Sequence, residues 1–168
     1  MKIDLFAFVT AYWKGLATAA NILEKGAEHA RATGASEAEM LDWRLAPDMW
    51  PLSRQIQVVI NFAQQWPSKA AGLAEPATLD GPTTVAELKD RIAAAQAYLT
   101  SLKPEQFAGR DEVPLTMNLG QIEPTMPTGQ WIMGFATTNF YFHLNMAYAI
   151  LRSRGAPLGK LDLFAGGL

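Results

Sequence analysis

The sequence predicts an all-α, up-and-down four-helix bundle, and three observations carry that prediction. Four separate segments place apolar residues three and four apart, each is closed at its ends by helix-terminating residues, and none can bury its apolar stripe alone. The composition agrees with one domain spanning residues 1–168: 49% of the residues are hydrophobic and 18% charged, enough for a single sizeable core.

The first segment runs from Leu5 through Val9, Tyr12, Leu16, Ala19 and Leu23, one face of a long helix ending near Gly34. Ala17, Ala19, Ala20, Gly26, Ala27 and Ala30 let a neighbour approach its second half closely. Ser36-Glu37-Ala38-Glu39 reads as a capping box that opens a short helical connector before Pro47.

The second main helix is expected from about Pro51, with Asp48 ahead of it as acceptor for free N–H groups. Its stripe is Leu52, Ile56, Val59, Ala63 and Trp66, and Pro67 is expected to stop it. After a polar link, Thr83 or Thr84 caps a third helix with Glu87, and Val85, Leu88, Ile92, Ala95 and Leu99 form its stripe before Pro104.

Between Phe107 and Phe135 stand Gly109, Pro114, Gly120, Pro124, Pro127, Gly129 and Gly134, too many breakers for a helix to be expected. There, residues 112–119 and 130–135 either pair as a small β-hairpin or lie as an ordered excursion. The fourth helix takes Phe140, Leu144, Ala147 and Leu151 as its stripe and ends at Arg154-Gly155. Up-down-up-down is the expected order, although the link between the second and third helices is long enough to cross one end.

Composition excludes several functions. The net charge is −2 and no basic run occurs, so nucleic acid is not an expected partner. Cysteine is absent, so disulfides, thiolate nucleophiles and thiolate-held metals are excluded. No stretch approaches the roughly 20 apolar residues of a membrane-spanning helix. The N-terminal apolar stretch is a poor signal peptide, interrupted by Asp4 and Lys14 and bulky at Tyr12 and Trp13, so a cytoplasmic location is expected. Walker A, G-x-G-x-x-G, G-x-S-x-G and H-E-x-x-H motifs do not occur. Gly155-Ala156-Pro157-Leu158-Gly159-Lys160 resembles a phosphate loop only superficially, because it follows a helix and opens none; a tail packing through Leu161, Leu163 and Phe164 is the expectation.

In the up-down-up-down arrangement one end of the bundle gathers His29, Asp48, Gln55, Tyr98, Asn139 and His143. Two imidazoles and the Asp48 carboxylate would make an N/O site for one divalent ion (Ni, Zn, Fe or Mn) with open water positions, lined by Gln55, Tyr98 and Asn139. The alternative is that both histidines are hydrogen-bonded structural residues and Asp48 only a helix cap. Arg44 would hold an acidic substrate or else pair with Asp42 or Asp48. Trp43, Trp50, Phe140, Tyr141 and Phe142 line an apolar ligand pocket or are simply core.

Two blocks carry a resemblance. Arg44-Leu-Ala-Pro-Asp-Met-Trp-Pro-Leu52 with Gln55-Ile-Gln57, and Asn139-Phe-Tyr-Phe-His143 with Ala147-Tyr-Ala-Ile-Leu-Arg152 and Gly159-Lys160-Leu-Asp162, resemble a bacterial domain-of-unknown-function family in the DinB/YfiT-like superfamily. The resemblance spans nearly the whole chain and implies a DinB-like bundle, commonly homodimeric. Its better-known relatives bind a divalent metal and include thiol-dependent transferases and isomerases. Such relatives supply one histidine from the second helix and a pair spaced four apart on the fourth. Here Asn139 and Ala147 flank His143 at that spacing and the second helix has no histidine, so only His143 matches. Two functions are therefore expected as alternatives: a metal-dependent or degenerate enzyme with a small-molecule pocket at the His29/His143 end, or a non-catalytic homodimeric binding or scaffold protein.

Overall fold

A helix can begin where a side chain accepts from the free N–H groups of its first turn. In the computed structural model, of which residues 2–167 are described, the Asp4 carboxylate accepts from the N–H groups of Phe6 and Ala7 and starts α1 (Leu5–Ala32). Leu5, Val9, Tyr12, Leu16, Ala19 and Leu23 are all buried, as their spacing demands. The Ser36–Glu39 capping box is formed and opens α2 (Glu37–Leu41), which adds Met40 and Leu41 to the core.

The helix α3 (Leu52–Ala71) departs from expectation at both ends. Pro51 precedes its first turn with no side-chain cap, and Asp48 stays exposed in the preceding loop. Pro67 does not stop the helix. It removes one backbone donor, but Trp66, Pro67, Ser68 and Ala70 are all buried, and Ser68 Oγ donates to the Gln64 carbonyl at 2.7 Å. The true terminator is Gly72, at φ +69°. Its N–H reaches the Lys69 carbonyl at 3.1 Å while Leu73 N–H reaches Ser68 at 2.8 Å, the paired bonds of a Schellman end. Arg110 Nε closes the same end by donating to the Ala70 carbonyl at 2.6 Å.

The chain then turns back along α3. Gln65 donates to Thr78 Oγ1 (2.8 Å), Asn61 exchanges two bonds with Leu79 (2.8 and 2.9 Å), and Gln57 donates to the Gly81 carbonyl (2.8 Å). This return brings the Thr84–Glu87 capping box, and with it α4 (Val85–Ser101), to the same end of the bundle where α3 began. Accordingly α4 runs parallel to α3, and their C-terminal ends are joined by Ser68 Oγ and Tyr98 OH at 2.7 Å.

The segment before the last helix contains the hairpin, but shifted. The strands β1 (Pro114–Thr116) and β2 (Thr125–Pro127) pair antiparallel with Leu115 opposite Met126. The expected second strand at 130–135 is instead helical. After α5 (Thr128–Gln130), a π-helical segment (Trp131–Ala136) leads without a break into α6 (Thr137–Ser153). Helix wins there because Pro127 stands before the first turn and Trp131, Ile132 and Ala136 are buried together. Gly129 is required for its smallness: a Cβ there would lie 2.8 Å from Ile3 Cδ1 and 3.2 Å from the Asp111 carbonyl. Trp131 Nε1 donates to the Leu115 carbonyl at 2.8 Å and pins this helix start to the hairpin.

The fold class stands as an all-α bundle of four long helices with a connector and a hairpin; the order of directions is corrected. Tyr12 meets Thr137 and His29 meets Arg154, so α1 and α6 run parallel. Trp131, Phe135 and His143 meet Trp66, Phe62 and Gln55 in turn, so α6 opposes α3. Glu24 pairs with Lys89 and Trp13 with Gln96, so α4 opposes α1. The order is up-down-down-up because the link travels the length of α3 before α4 starts.

The tail is held by polar bonds more than by the expected apolar packing. Leu161 is 84% exposed and Phe164 41% exposed, while Ala156 and Leu158 are the buried tail residues. The segment Lys160–Phe164 lies along α1 through Thr18 Oγ1 to the Leu163 carbonyl (2.8 Å) and the Asp162 carboxylate to Lys25 (2.5 Å) and Asn21 (3.1 Å). Among the described residues, no helix is long and apolar enough to cross a membrane.

Candidate functional site

His143 is buried on α6 where that helix crosses the start of α3. Its Nδ1 lies 2.7 Å from Gln55 Oε1. The Gln55 amide nitrogen donates to the Trp50 carbonyl at 3.2 Å, which leaves its oxygen to face the imidazole. An amide oxygen only accepts, so Nδ1 carries the proton and the lone pair of a neutral His143 resides on Nε2. Nε2 has no hydrogen-bond partner among the described residues. No fully buried side-chain nitrogen or oxygen there lacks a partner, so Nε2 keeps a face toward solvent.

Aromatic rings surround this imidazole. Trp50 stacks on it with centroids 5.6 Å apart and planes 16° apart, Phe142 meets it edge-on at 5.1 Å, and Phe62 is tilted to it at 6.5 Å. Trp50 and Phe142 are each about half exposed, so they flank the histidine at the surface. The Arg54 guanidinium lies 5.3 Å from the Trp50 ring centroid and is tied to Asp80 at 2.7 Å. Burial, and secondarily the Arg54 charge, hold the His143 imidazole below its ordinary protonation range. It is therefore a neutral base with a fixed tautomer at neutral pH.

The other expected ligands are elsewhere. His29 Nε2 donates to the Arg154 carbonyl at 2.8 Å and closes the C-terminal end of α6 against α1. Arg154 lies eleven residues beyond His143, about 16 Å of helix at roughly 1.5 Å per residue, so the two imidazoles are not in one pocket. Asp48 is exposed and meets neither. Tyr98 bonds Ser68 at the far end of the bundle, and Asn139 Nδ2 donates to the Phe135 carbonyl of its own helix at 2.8 Å. Only Gln55 joins His143.

The residues present therefore do not fit a resident divalent ion. Among the described residues no group of three His, Asp or Glu side chains is placed to hold one, and around His143 the remaining donors are an amide already engaged and aromatic carbon. Arg44 binds neither carboxylate; it donates to the carbonyls of Asp42 and Met49, each at 3.4 Å, and shapes the loop before α3. Of the five aromatics named from the sequence, Trp50 and Phe142 belong to the site and Phe140 is core. Trp43 lies under Arg154, and Tyr141 faces the opposite side. Phe62 and Arg54 also belong to the site, and no motif in the sequence marks either one. Arg54 is the third residue of α3 and Trp50 lies two residues before that helix, so their stacking depends on how the chain enters α3 and no helical spacing announces it.

The fold is that of a DinB-like helical bundle. A crystal structure of a DinB family member protein from Shewanella denitrificans matches with a TM-score of 0.86 at 29% identity, covering 93% of this chain and 88% of that one. The family model described as Domain of unknown function (DUF1993) matches residues 6–164, and the chain belongs to that family. No curated protein matches the sequence.

Proposed function

We propose that this protein binds a small organic molecule against the Trp50–His143–Phe142 surface without a metal ion. The observation that carries the proposal is the Gln55–His143 bond: it fixes one tautomer and leaves Nε2 as an acceptor on an imidazole flanked by two half-exposed aromatic rings. Such a nitrogen accepts a hydrogen bond from a ligand, while Trp50 and Phe142 supply apolar contact that is already half exposed and loses little on binding. The donor set supports a degenerate relative of metal-binding bundles more than a working one.

A ligand-induced thermal shift across a metabolite library tests this, because a molecule that prefers the folded state raises its melting temperature. Ligands that shift the native chain and lose most of that shift in His143→Gln are expected; ligand shifts indifferent to His143 overturn the proposal. A homodimer is a companion proposal. The apolar surface of α1 and α6 around Trp13, Tyr141 and Phe164 supports it, and sedimentation equilibrium reads the mass directly.

A further inference from the structure

We infer that a cleft at the far end of α3 from His143 is a second site, which takes a small organic primary ammonium on an aromatic stem and pairs it with the Asp111 carboxylate. The inference is independent of the reading of the His143 surface. It stands on a cleft, a buried charge and the rings beside that charge.

The cleft has a volume of about 590 Å³ and lies between the first residues of α1 and the helical turn Pro104–Phe107. That volume suits a small molecule. The turn that carries Asp111 is held from two sides. Arg110 donates to the Ala70 carbonyl at the end of α3, and the Asp111 carbonyl accepts from the Gly129 N–H at 2.8 Å. His143 instead faces Gln55 at the start of α3, so the two sites occupy opposite ends of that helix.

Asp111 lines the cleft at 8% exposure and is the one carboxylate among the buried residues described. Its Oδ2 accepts from the Ile3 N–H at 3.2 Å, while Oδ1 has no hydrogen-bond partner among the described residues. No Lys, Arg or His side chain described pairs with it. A carboxylate taken this far out of water ordinarily has a cation beside it, and a single backbone N–H is a poor substitute. Every fully buried side-chain oxygen described has a partner, so Oδ1 is reached from the cleft side by solvent and by a ligand alike.

Charge and ring placement narrow the ligand. Asp4 at the rim engages one carboxylate oxygen with the N–H groups of Phe6 and Ala7, and its charge also bears on the cleft. Lys2 is exposed and forms no ion pair with either acid. Two carboxylates against one ammonium select a cation over an anion. Phe6 and Phe107, with centroids 5.5 Å apart and planes tilted by 58°, supply an apolar wall and ring faces that attract a cation. A bare divalent ion does not fit, because no third ligating side chain stands with the two acids among the described residues.

The test follows the backbone amide spectrum of the full chain during titration with 2-phenylethylamine and with 2-phenylethanol, which has the same ring and stem without the charge. The amine is expected to bind about tenfold or more tighter, the margin of a charge-assisted hydrogen bond, and to move the amide signals of Ile3 and Asp111. Asp111→Asn keeps an oxygen for the Ile3 N–H and should bring the amine down to the affinity of the alcohol. The Ile3 and Asp111 signals locate the amine in the native chain, so the outcome holds even where the variant does not fold. Equal binding of the two probes, binding of neither at millimolar concentration, or a margin that survives Asp111→Asn would each overturn the inference. Amine-induced changes that leave Ile3 and Asp111 untouched would overturn it as well.

Discussion

Gly15 and His143 are the residues at which packing and chemistry depend most on single atoms. A Cβ at Gly15 would lie 2.5 Å from Phe140 Cζ, in the fully buried contact between α1 and α6. Overpacking there costs about 1–3 kcal/mol against a helix-propensity gain near 1, so Gly15→Ala is expected to lower the urea midpoint despite being a better helix former. An unchanged or higher midpoint would show that the ring moves freely. For His143 the sign follows from its depressed folded protonation. Near its ordinary value of about 6.5 the unfolded chain takes up a proton that the folded chain refuses, so acidification through that region favours unfolding. His143→Gln removes this component, and the native chain should lose more stability than the variant between about pH 7 and pH 5. Parallel stability curves for the two proteins would count against the buried neutral imidazole.

At the scale of elements, caps and stripes were legible and their partners were not. The Ser36–Glu39 and Thr84–Glu87 boxes follow from residues three apart and both form. Pro67 misled because proline is disfavoured within a helix, yet burial of its neighbours outweighs one lost backbone bond. The glycines at 129 and 134 misled in the same way, since one is needed for a close contact and the other faces open space. The tail offers an element-scale prediction. Lys25, then the Gly159 N–H, then Asn21 hold the Asp162 carboxyl down to about 2. Its anchoring is present above the ordinary carboxylate value near 3.8 and is lost as pH falls from there toward 2. Asp162→Ala should speed amide exchange along Lys160–Phe164 at neutral pH while the α3 amides keep their protection. Uniform acceleration through α3 would mean that the tail supports the whole bundle.

For the whole molecule, the direction of α4 decides which side chains share an end. In an alternating bundle Tyr98 would sit with Gln55; in the actual order it sits with Ser68, at the opposite end. His29 and His143 separate because α1 and α6 run parallel, which sets His29 beside Arg154. With no ligand set assembled, chelation by EDTA should leave the melting temperature unchanged, and metal analysis of the purified chain should find no near-stoichiometric ion. A chelator-dependent fall in melting temperature would restore the metal reading. His143, Gln55, Trp50 and Phe142 were each visible in the sequence as candidates, but their meeting was not. It depends on the entry angle of α3 after Pro51 and on the facing of α6, both set by contacts between distant residues.

The sequence by itself determined four amphipathic helices, the two capping boxes, the absence of cysteine thiolate chemistry and the absence of any histidine from the second long helix. These are local properties, readable from spacings of three and four and from residue types. Tertiary structure alone decided that the chain returns along α3, that α1 and α6 are parallel, and that His143 is joined by Gln55 and not by His29. Those outcomes rest on hydrogen bonds and packing between residues up to 125 positions apart, whose balance no local spacing encodes.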